Sequence, residues 1–349
     1  MVNGVYDYLI IGQGVAGSVL AMTLHEQGKS VCIVDSPKPN TSSRVAAGIM
    51  NPVTGKRMTL TWEADTFFPT AKSFYKRMES MADRRFLFEH PIVRIFSSIG
   101  EQNDWSGKWT DEKYKNFITT GALDSPMFEG VSAPYGSMAV TGGGRVDTNA
   151  FLDFVRLYFE SLGQFAESEI ELEDIQPSSQ GISWQNVSAA NVVYCVGANA
   201  MHWGYLPFTP MKGEVLEVTS KKLDQDHIFV GGCFLCPTQQ GSFYAGATYD
   251  WRNTNLEKTE KARVEILDKV SKFTSSPLQI KEHRVGIRPA VKDRRPLLGR
   301  HPSKNNQYLF SGLGSKGVSM APSLAMQLYS HIEHGTALHA EVDIKRFDS

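Results

Sequence analysis

The sequence predicts an α/β protein, with a parallel-sheet dinucleotide-binding domain interrupted by a second, strand-rich domain. Three observations carry this. The chain opens strand, glycine turn, helix, strand over Tyr6–Asp35. It closes on a second glycine-rich turn, Gly312–Gly317, that leads into a helix. Between them lie β-rich runs such as MKGEVLEVTS, HIFVGGCFLCPT and SFYAGATY. At 349 residues the chain is long enough for two domains.

Tyr8–Ile11 is a short apolar run of strand formers. Gly12, Gly14 and Gly17 follow as GQGVAG, the G-x-G-x-x-G fingerprint of a Rossmann-like unit. Gly12 permits the tight turn out of the strand. Gly14 lets a pyrophosphate approach the backbone, and Gly17 lets helix and strand pack. Ala16, Val19, Leu20 and Leu24 keep a helical period, and Gly28 is placed to end the helix. The helix N-terminus offers unpaired N–H groups and roughly half a positive charge to phosphates. Ser30–Val34 reads as the second strand. Asp35, eighteen residues past Gly17, is the carboxylate placed for ribose hydroxyls.

A formal net charge of −1 gives no whole-chain pull toward nucleic acid or an anionic membrane. Cys32 and Cys195 sit in apolar strand-like runs. Cys233 and Cys236 form one C-x-x-C without a second pair, so no metal site is read. No uninterrupted apolar span reaches membrane length, and the first apolar run lacks a basic leader. A soluble protein in a reducing, cytoplasmic compartment is expected.

After Asp35 comes a polar loop, then AAGIMNPVTGKR over 46–57. The small residues beside Gly48 suit a backbone passing close to a flat ring. The segment is not a P-loop, because no Ser or Thr follows Lys56. Phe67–Met81 reads as a helix whose aromatics are core. Arg85–Ser97 is strand-like, and Asn103–Phe117, with Trp105 and Trp109, is mixed. A helix follows Asp147 to Leu162. ANVVYCVGA (190–198) reads as a buried strand ending at Gly197, a second place for close approach. Residues 257–273 form a helix. A strand over Ile280–Arg288 leads into GIRPAVKDRRPLLGRHP. Tyr308–Ser311 is a strand, and Ser319–His334 a helix.

One pyrophosphate needs one glycine turn, so the turn at Gly312–Gly317 serves something else. A reduced flavin carries negative charge at its N1–C2 carbonyl edge, whereas a reduced nicotinamide is neutral. A helix N-terminus aimed there stabilises the flavin, by roughly 0.3–1 kcal/mol exposed and up to about 2 when partly buried. This favours FAD.

On YLIIGQGVAGSVLAMTLHEQGKSVCIVD, AAGIMNP, GGRVDTNAFLDF, VVYCVGANA, MKGEVLEV, FYAGATYD, GIRPAVKDRRPLLGRHP and GLGSKGVSMAPSLAMQL, the chain resembles the D-amino acid oxidase superfamily of FAD enzymes, in its glycine oxidase and sarcosine oxidase branch. GATYD and GSKGVSMAP are also similar to the FAD domain of a bifunctional enzyme of tRNA wobble-uridine modification. No counterpart of that enzyme's methyltransferase part is recognised in these residues. The resemblance implies an interrupted FAD-binding domain (1–84, 142–208 and 289–349) and an antiparallel-sheet substrate domain (85–141 and 209–288). It implies hydride transfer from the carbon beside an amine to flavin, imine hydrolysis, and return of electrons to molecular oxygen or another acceptor.

The cofactor contacts it implies are Gly12, Gly14, Val15, Ala16 and Gly17; Asp35, Ser36 and Arg44; Ala46, Ala47 and Gly48; Gly197; and Gly312, Gly314, Ser315, Lys316, Gly317 and Val318. Arg288, in GIRP, matches the arginine that grips a substrate carboxylate. Its planar fork can make two parallel bonds to one carboxylate. The other reading of Arg288 is a structural ion pair with Asp293. Lys316 is either a second carboxylate contact or a surface lysine. Two departures stand out. Phe234 occupies the place of a substrate-facing tyrosine. Pro289 and Ala290 stand where a cysteine would link flavin covalently, so dissociable FAD is expected.

The leading function is oxidation of a small amino acid or secondary amine. A flavoenzyme removing a glycine-derived group from a tRNA wobble base is the first alternative, with Lys56, Arg57, Arg84, Arg85, Arg294, Arg295 and Arg300 as candidate RNA contacts. An FAD-binding subunit of a larger dehydrogenase is the second.

Overall fold

The computed structural model describes residues 2–36, 38–55, 57–108, 111–119 and 128–348, so Lys56 and Trp109 lie outside the described residues. The chain divides into two compact units. The first is Met1–Arg44, Thr148–Met211 and Ile287–Ser349; the second is Val45–Asp147 and Lys212–Gly286. Residues 45–84, grouped by sequence with the first domain, thus sit in the second unit.

In the first unit five strands run parallel, in the order Phe165–Glu167, Val31–Asp35, Gly4–Ile11, Val187–Tyr194, Gln307–Ser311. Gly181–Trp184 and Leu297–Arg300 extend the sheet antiparallel. Parallel strands are covered on both faces, so they read as continuous apolar runs. Tyr8, Leu9 and Ile10 and the whole of Val31–Val34 are fully buried. The register sets Ile11 beside both Val34 and Tyr194. The chain leaves Gly4–Ile11 toward one side of the sheet and Val187–Tyr194 toward the other. The gap between their carboxyl ends is therefore the topological switch point, where such sheets bind ligands.

The first helix, Val15–Glu26, ends as its sequence directs. Gly28 has φ +74°, and the N–H of Lys29 returns to the carbonyl of Leu24. The helix packs against Thr148–Ser161 and the last helix, Gly317–His334. The fourth parallel strand corrects one expectation. It stops at Tyr194, and Gly197 opens a short 3₁₀ turn, Gly197–His202, rather than ending a strand.

The second unit is built on a seven-stranded sheet, ordered Gln279–Arg288, Met211–Thr219, Ser242–Gly246, Phe234–Pro237, Ile228–Val230, Ile92–Ile95, Ser137–Val140. The hairpins Ile228–Val230/Phe234–Pro237 and Phe234–Pro237/Ser242–Gly246 are antiparallel. Ile92–Ile95 pairs with Ile228–Val230 in parallel, a departure from an all-antiparallel sheet. These two strands are distant in sequence, so no hairpin dictates their direction. Ile266 and Val270 of the helix Glu260–Ser271 pack on one face with Leu216, Phe229, Leu235 and Phe243. A three-stranded sheet holds Gly144–Val146 between Ile49–Met50 and Leu87–Phe88. Among the described residues, no helix is long and apolar enough to cross a membrane.

Leu9 is fully buried in the core of the parallel sheet. Leu9→Ala is expected to cost about 2–5 kcal/mol, read as a lower urea midpoint with unchanged slope.

Candidate active site

The first glycine turn is made by contacts that only glycine allows. A Cβ on Gly12 would lie 2.6 Å from the carbonyl oxygen of Cys195, and one on Gly17 would lie 1.9 Å from that of Gly12. Two hydrogen bonds carry the sheet ladder into the turn: Gly12 N–H to the Val34 carbonyl at 2.8 Å, and Cys195 N–H to the Ile11 carbonyl at 2.7 Å. Gly14 is different, because its Cβ position would meet only the Ser43 hydroxyl, at 3.0 Å. That hydroxyl accepts the Val15 N–H at 3.0 Å. Gly14 itself brings no side chain to cap the helix, so Ala16 and Gly17 keep N–H groups of the first turn for an anion.

Asp35 accepts the Gln13 N–H on Oδ1 at 3.0 Å. Its Oδ2 has no hydrogen-bond partner among the described residues, which suits a hydroxyl donor. Burial lifts the Asp35 carboxyl above the usual range, against the opposing Gln13 N–H, Arg156, Arg44 and Lys38. These residues fit the adenosine diphosphate half of a dinucleotide. Ser36 is 3.4 Å from a Glu169 carboxylate oxygen. Arg44 pairs with Asp153 at 2.5 Å, which ties it to the helix Thr148–Ser161.

The structure brings the second glycine turn to the same end of the sheet. Val15 Cγ1 lies 3.7 Å from the Cβ position of Gly317. The last helix begins at Gly317, two residues before Ser319, with Lys316 as its N-cap, exposed Ser315 before it and buried Val318 within it. Gly312 and Gly314 have φ +73° and +55°. The N–H of Gly314 donates to the carbonyl of Pro289 at 3.1 Å. That bond joins the turn to the residue after Arg288, which ends the strand Gln279–Arg288 and is half-buried. Asp293, the alternative partner for Arg288, is bonded by Arg346 at 2.9 Å. Gly197 has φ +57°, faces open space, and takes the Ser311 hydroxyl on its carbonyl at 3.0 Å. Burial, then the charge of Arg295, pushes the half-buried Lys316 ammonium down to about 8.

In the second unit, Ala47 belongs to an apolar cluster with Val45, Val215 and Tyr244, against which Phe234 packs. Gly48 has φ +72°, and a Cβ there would strike the Val146 carbonyl at 1.8 Å. Ala46, beside them, is half-buried. Phe234 pairs with Gly246 on the neighbouring antiparallel strand, where Tyr244 pairs with Cys236. Sequence reasoning missed two residues here. Arg145 is 3% exposed, and its Nε donates to the Ala47 carbonyl at 3.1 Å. The Tyr244 hydroxyl accepts from Arg284 Nη1 at 2.9 Å. The signal for Arg145 was its lone charge in the small-residue run TGGGRV.

A family model described as FAD dependent oxidoreductase matches residues 7–330. The chain is 24% identical to the tRNA 5-methylaminomethyl-2-thiouridine biosynthesis bifunctional protein MnmC of Marinobacter nauticus, over 94% of this chain and 56% of that protein. It therefore spans little more than half of that relative's length. It is 22% identical to glycine oxidase of Bacillus subtilis, over 91% of this chain and 90% of that protein. The glycine oxidase structure from Geobacillus kaustophilus superposes with a TM-score of 0.79 at 20% identity, covering 96% of this chain and 97% of that one. At this identity the likeness speaks to the fold.

Gly14→Ala has room to fold, since only a serine hydroxyl must shift. It is expected to weaken flavin retention at least tenfold, measured as visible absorbance kept through desalting, while the melting profile of the cofactor-free protein stays unchanged.

Proposed function

Because the chain belongs to the FAD dependent oxidoreductase family, and so is an FAD-dependent enzyme, we propose that it oxidises the C–N bond of a small amino acid or secondary amine of the glycine or sarcosine kind. FAD, when bound, supplies the hydride acceptor. The observation that carries the substrate class is Arg288, at a strand end joined through Pro289 to the Gly312–Gly317 turn. A carboxylate held in its fork leaves the neighbouring amine-bearing carbon to be oriented, and positioning of that kind supplies about 7–11 kcal/mol of a barrier. Lys316, two residues past Gly314, is a second cation for the same carboxylate. Phe234 provides apolar packing where a hydroxyl contact is lost. Non-covalent FAD, a cytoplasmic setting, and oxygen or another acceptor complete the reading. The four described cysteines, all free and buried, support the reducing compartment.

A second reading is favoured by the MnmC relative: the carboxylate gripped by Arg288 belongs to a group on a tRNA base. The net charge of −1 counts against it. A panel of small amino acids and N-alkyl glycines, followed by bleaching of the flavin bands without oxygen, tests the first reading. Bleaching by none of them, together with tRNA binding at low salt, would replace it with the second.

Arg288→Ala is expected to raise KM for a carboxylate-bearing amine about 10- to 150-fold, the equivalent of about 1.5–3 kcal/mol for charged hydrogen bonds, and unchanged KM removes the clamp. Lys316 gives a pH signature. With its ammonium titrating at about 8, the charge is present below that pH and lost above it. Arginine stays charged throughout. The ratio of kcat/KM for wild type to that for Lys316→Arg, which cancels ionisation of the substrate, is expected to fall as pH rises through about 8. A flat ratio assigns Lys316 to the surface.

A further inference from the structure

We propose that Arg145 is a positioning residue of the flavin site, fixing the Ala46–Gly48 turn and setting a buried positive charge against it. The inference rests on the reading that this turn lies along the flavin ring.

Arg145 occupies the middle strand of the three-stranded sheet, opposite Ile49 on one side and Phe88 on the other. The turn is pinned at two successive carbonyls. Ala47 accepts from Arg145 Nε at 3.1 Å, and Gly48 accepts from the Val146 N–H at 2.9 Å. With Gly48 at φ +72° and its Cβ position closed off by the Val146 carbonyl, the turn has one available conformation. A flat ring laid on it meets a fixed surface.

The charge needs its own explanation. Arg145 is 3% exposed, and burying a cation is costly unless the rest of its donors are used. Its guanidinium has five N–H donors. One goes to Ala47, and one reaches Asp147 at 3.4 Å. The two on Nη1 and the second on Nη2 meet no hydrogen-bond acceptor among the described residues. The aromatic faces of Phe88 and Tyr244 lie 5.9 and 5.6 Å from its carbon Cζ. Packing alone would be served by an apolar side chain at no electrostatic cost. A guanidinium with unspent donors, touching the turn read as the flavin's support, is instead suited to negative charge on the ring. That charge arises in the proposed reaction. The amine carbon would give up its hydrogen with both bonding electrons, leaving a protonated imine, and bound FAD would supply the acceptor for that hydride. A preorganised cation favours that outcome without moving.

The test is the midpoint potential of the FAD-loaded enzyme, measured by dye-coupled reductive titration, with FAD affinity measured alongside. Neither measurement uses an amine substrate, so both stay decisive if the amine reading fails. Arg145→Met is expected to shift the potential to a more negative value and to weaken FAD binding at least tenfold. Arg145→Lys keeps the charge and gives up the fork. It is expected to hold a potential close to wild type while still binding FAD more weakly. A merely structural role would lower stability in both variants and leave the potential of bound FAD where it was, and that result overturns the proposal. If Arg145→Met fails to fold, Arg145→Lys decides: FAD affinity equal to wild type refutes the pinning of the turn.

Discussion

The approach of Gly17 to the carbonyl of Gly12 is the contact on which the first unit depends. With a Cβ position only 1.9 Å from that oxygen, no other residue lets the first helix lie this close to the strand it leaves. The strand cannot yield. Its last peptide is held on one side by Val34 and on the other by Cys195. The consequence is directional. Held this close, the helix points its N–H groups across the carboxyl ends of two parallel strands, at the point where chain connections diverge to opposite sides. An anion placed there meets backbone donors rather than flexible side chains, so little ordering entropy remains to be lost on binding.

The last helix extends the same logic. It packs on the first and begins beside Val15, so two helix N-termini serve one end of the sheet. The electrostatics of the flanking side chains follow from burial in that region. Burial moves Asp35 toward its neutral form, and it moves Lys316 the same way from the other direction. The hydrogen bond from Gly314 to Pro289 couples the backbone next to Arg288 to the turn before the last helix.

The backbone features were the legible part of the sequence. GQGVAG between an apolar run and a helical period dictates a turn that only glycine can make, and the structure has Gly12 and Gly17 in contacts that exclude a Cβ. The last helix begins two residues earlier than its pattern indicates, because Gly317 and Val318 continue the glycine-rich run in sequence while the helix starts directly at the glycine. Gly197 opens a 3₁₀ turn where the pattern indicates a strand end. The apolar run VVYCV continues past the last paired residue, Tyr194, and hydropathy does not distinguish a buried turn from a buried strand. Arg145 and Tyr244 are marked by burial and contact: a guanidinium 3% exposed, and a phenol accepting from Arg284. The lone charge in TGGGRV singles out Arg145 but not its burial, and neither residue type nor spacing singles out Tyr244. Residues 45–84 also show that contiguity in sequence with the glycine turn did not decide where that segment packs.

The same division explains why relatives at 20–24% identity share the fold while leaving the substrate open. The fold is held by backbone constraints that tolerate almost any apolar side chain, provided a few glycines stay in place. Substrate choice is held by side chains that the backbone does not constrain. At Phe234 the backbone is an ordinary antiparallel strand, paired with Ser242–Gly246, and a phenylalanine or a tyrosine would satisfy it equally. The strand fixes the position of residue 234, and the fold leaves the choice of side chain there open.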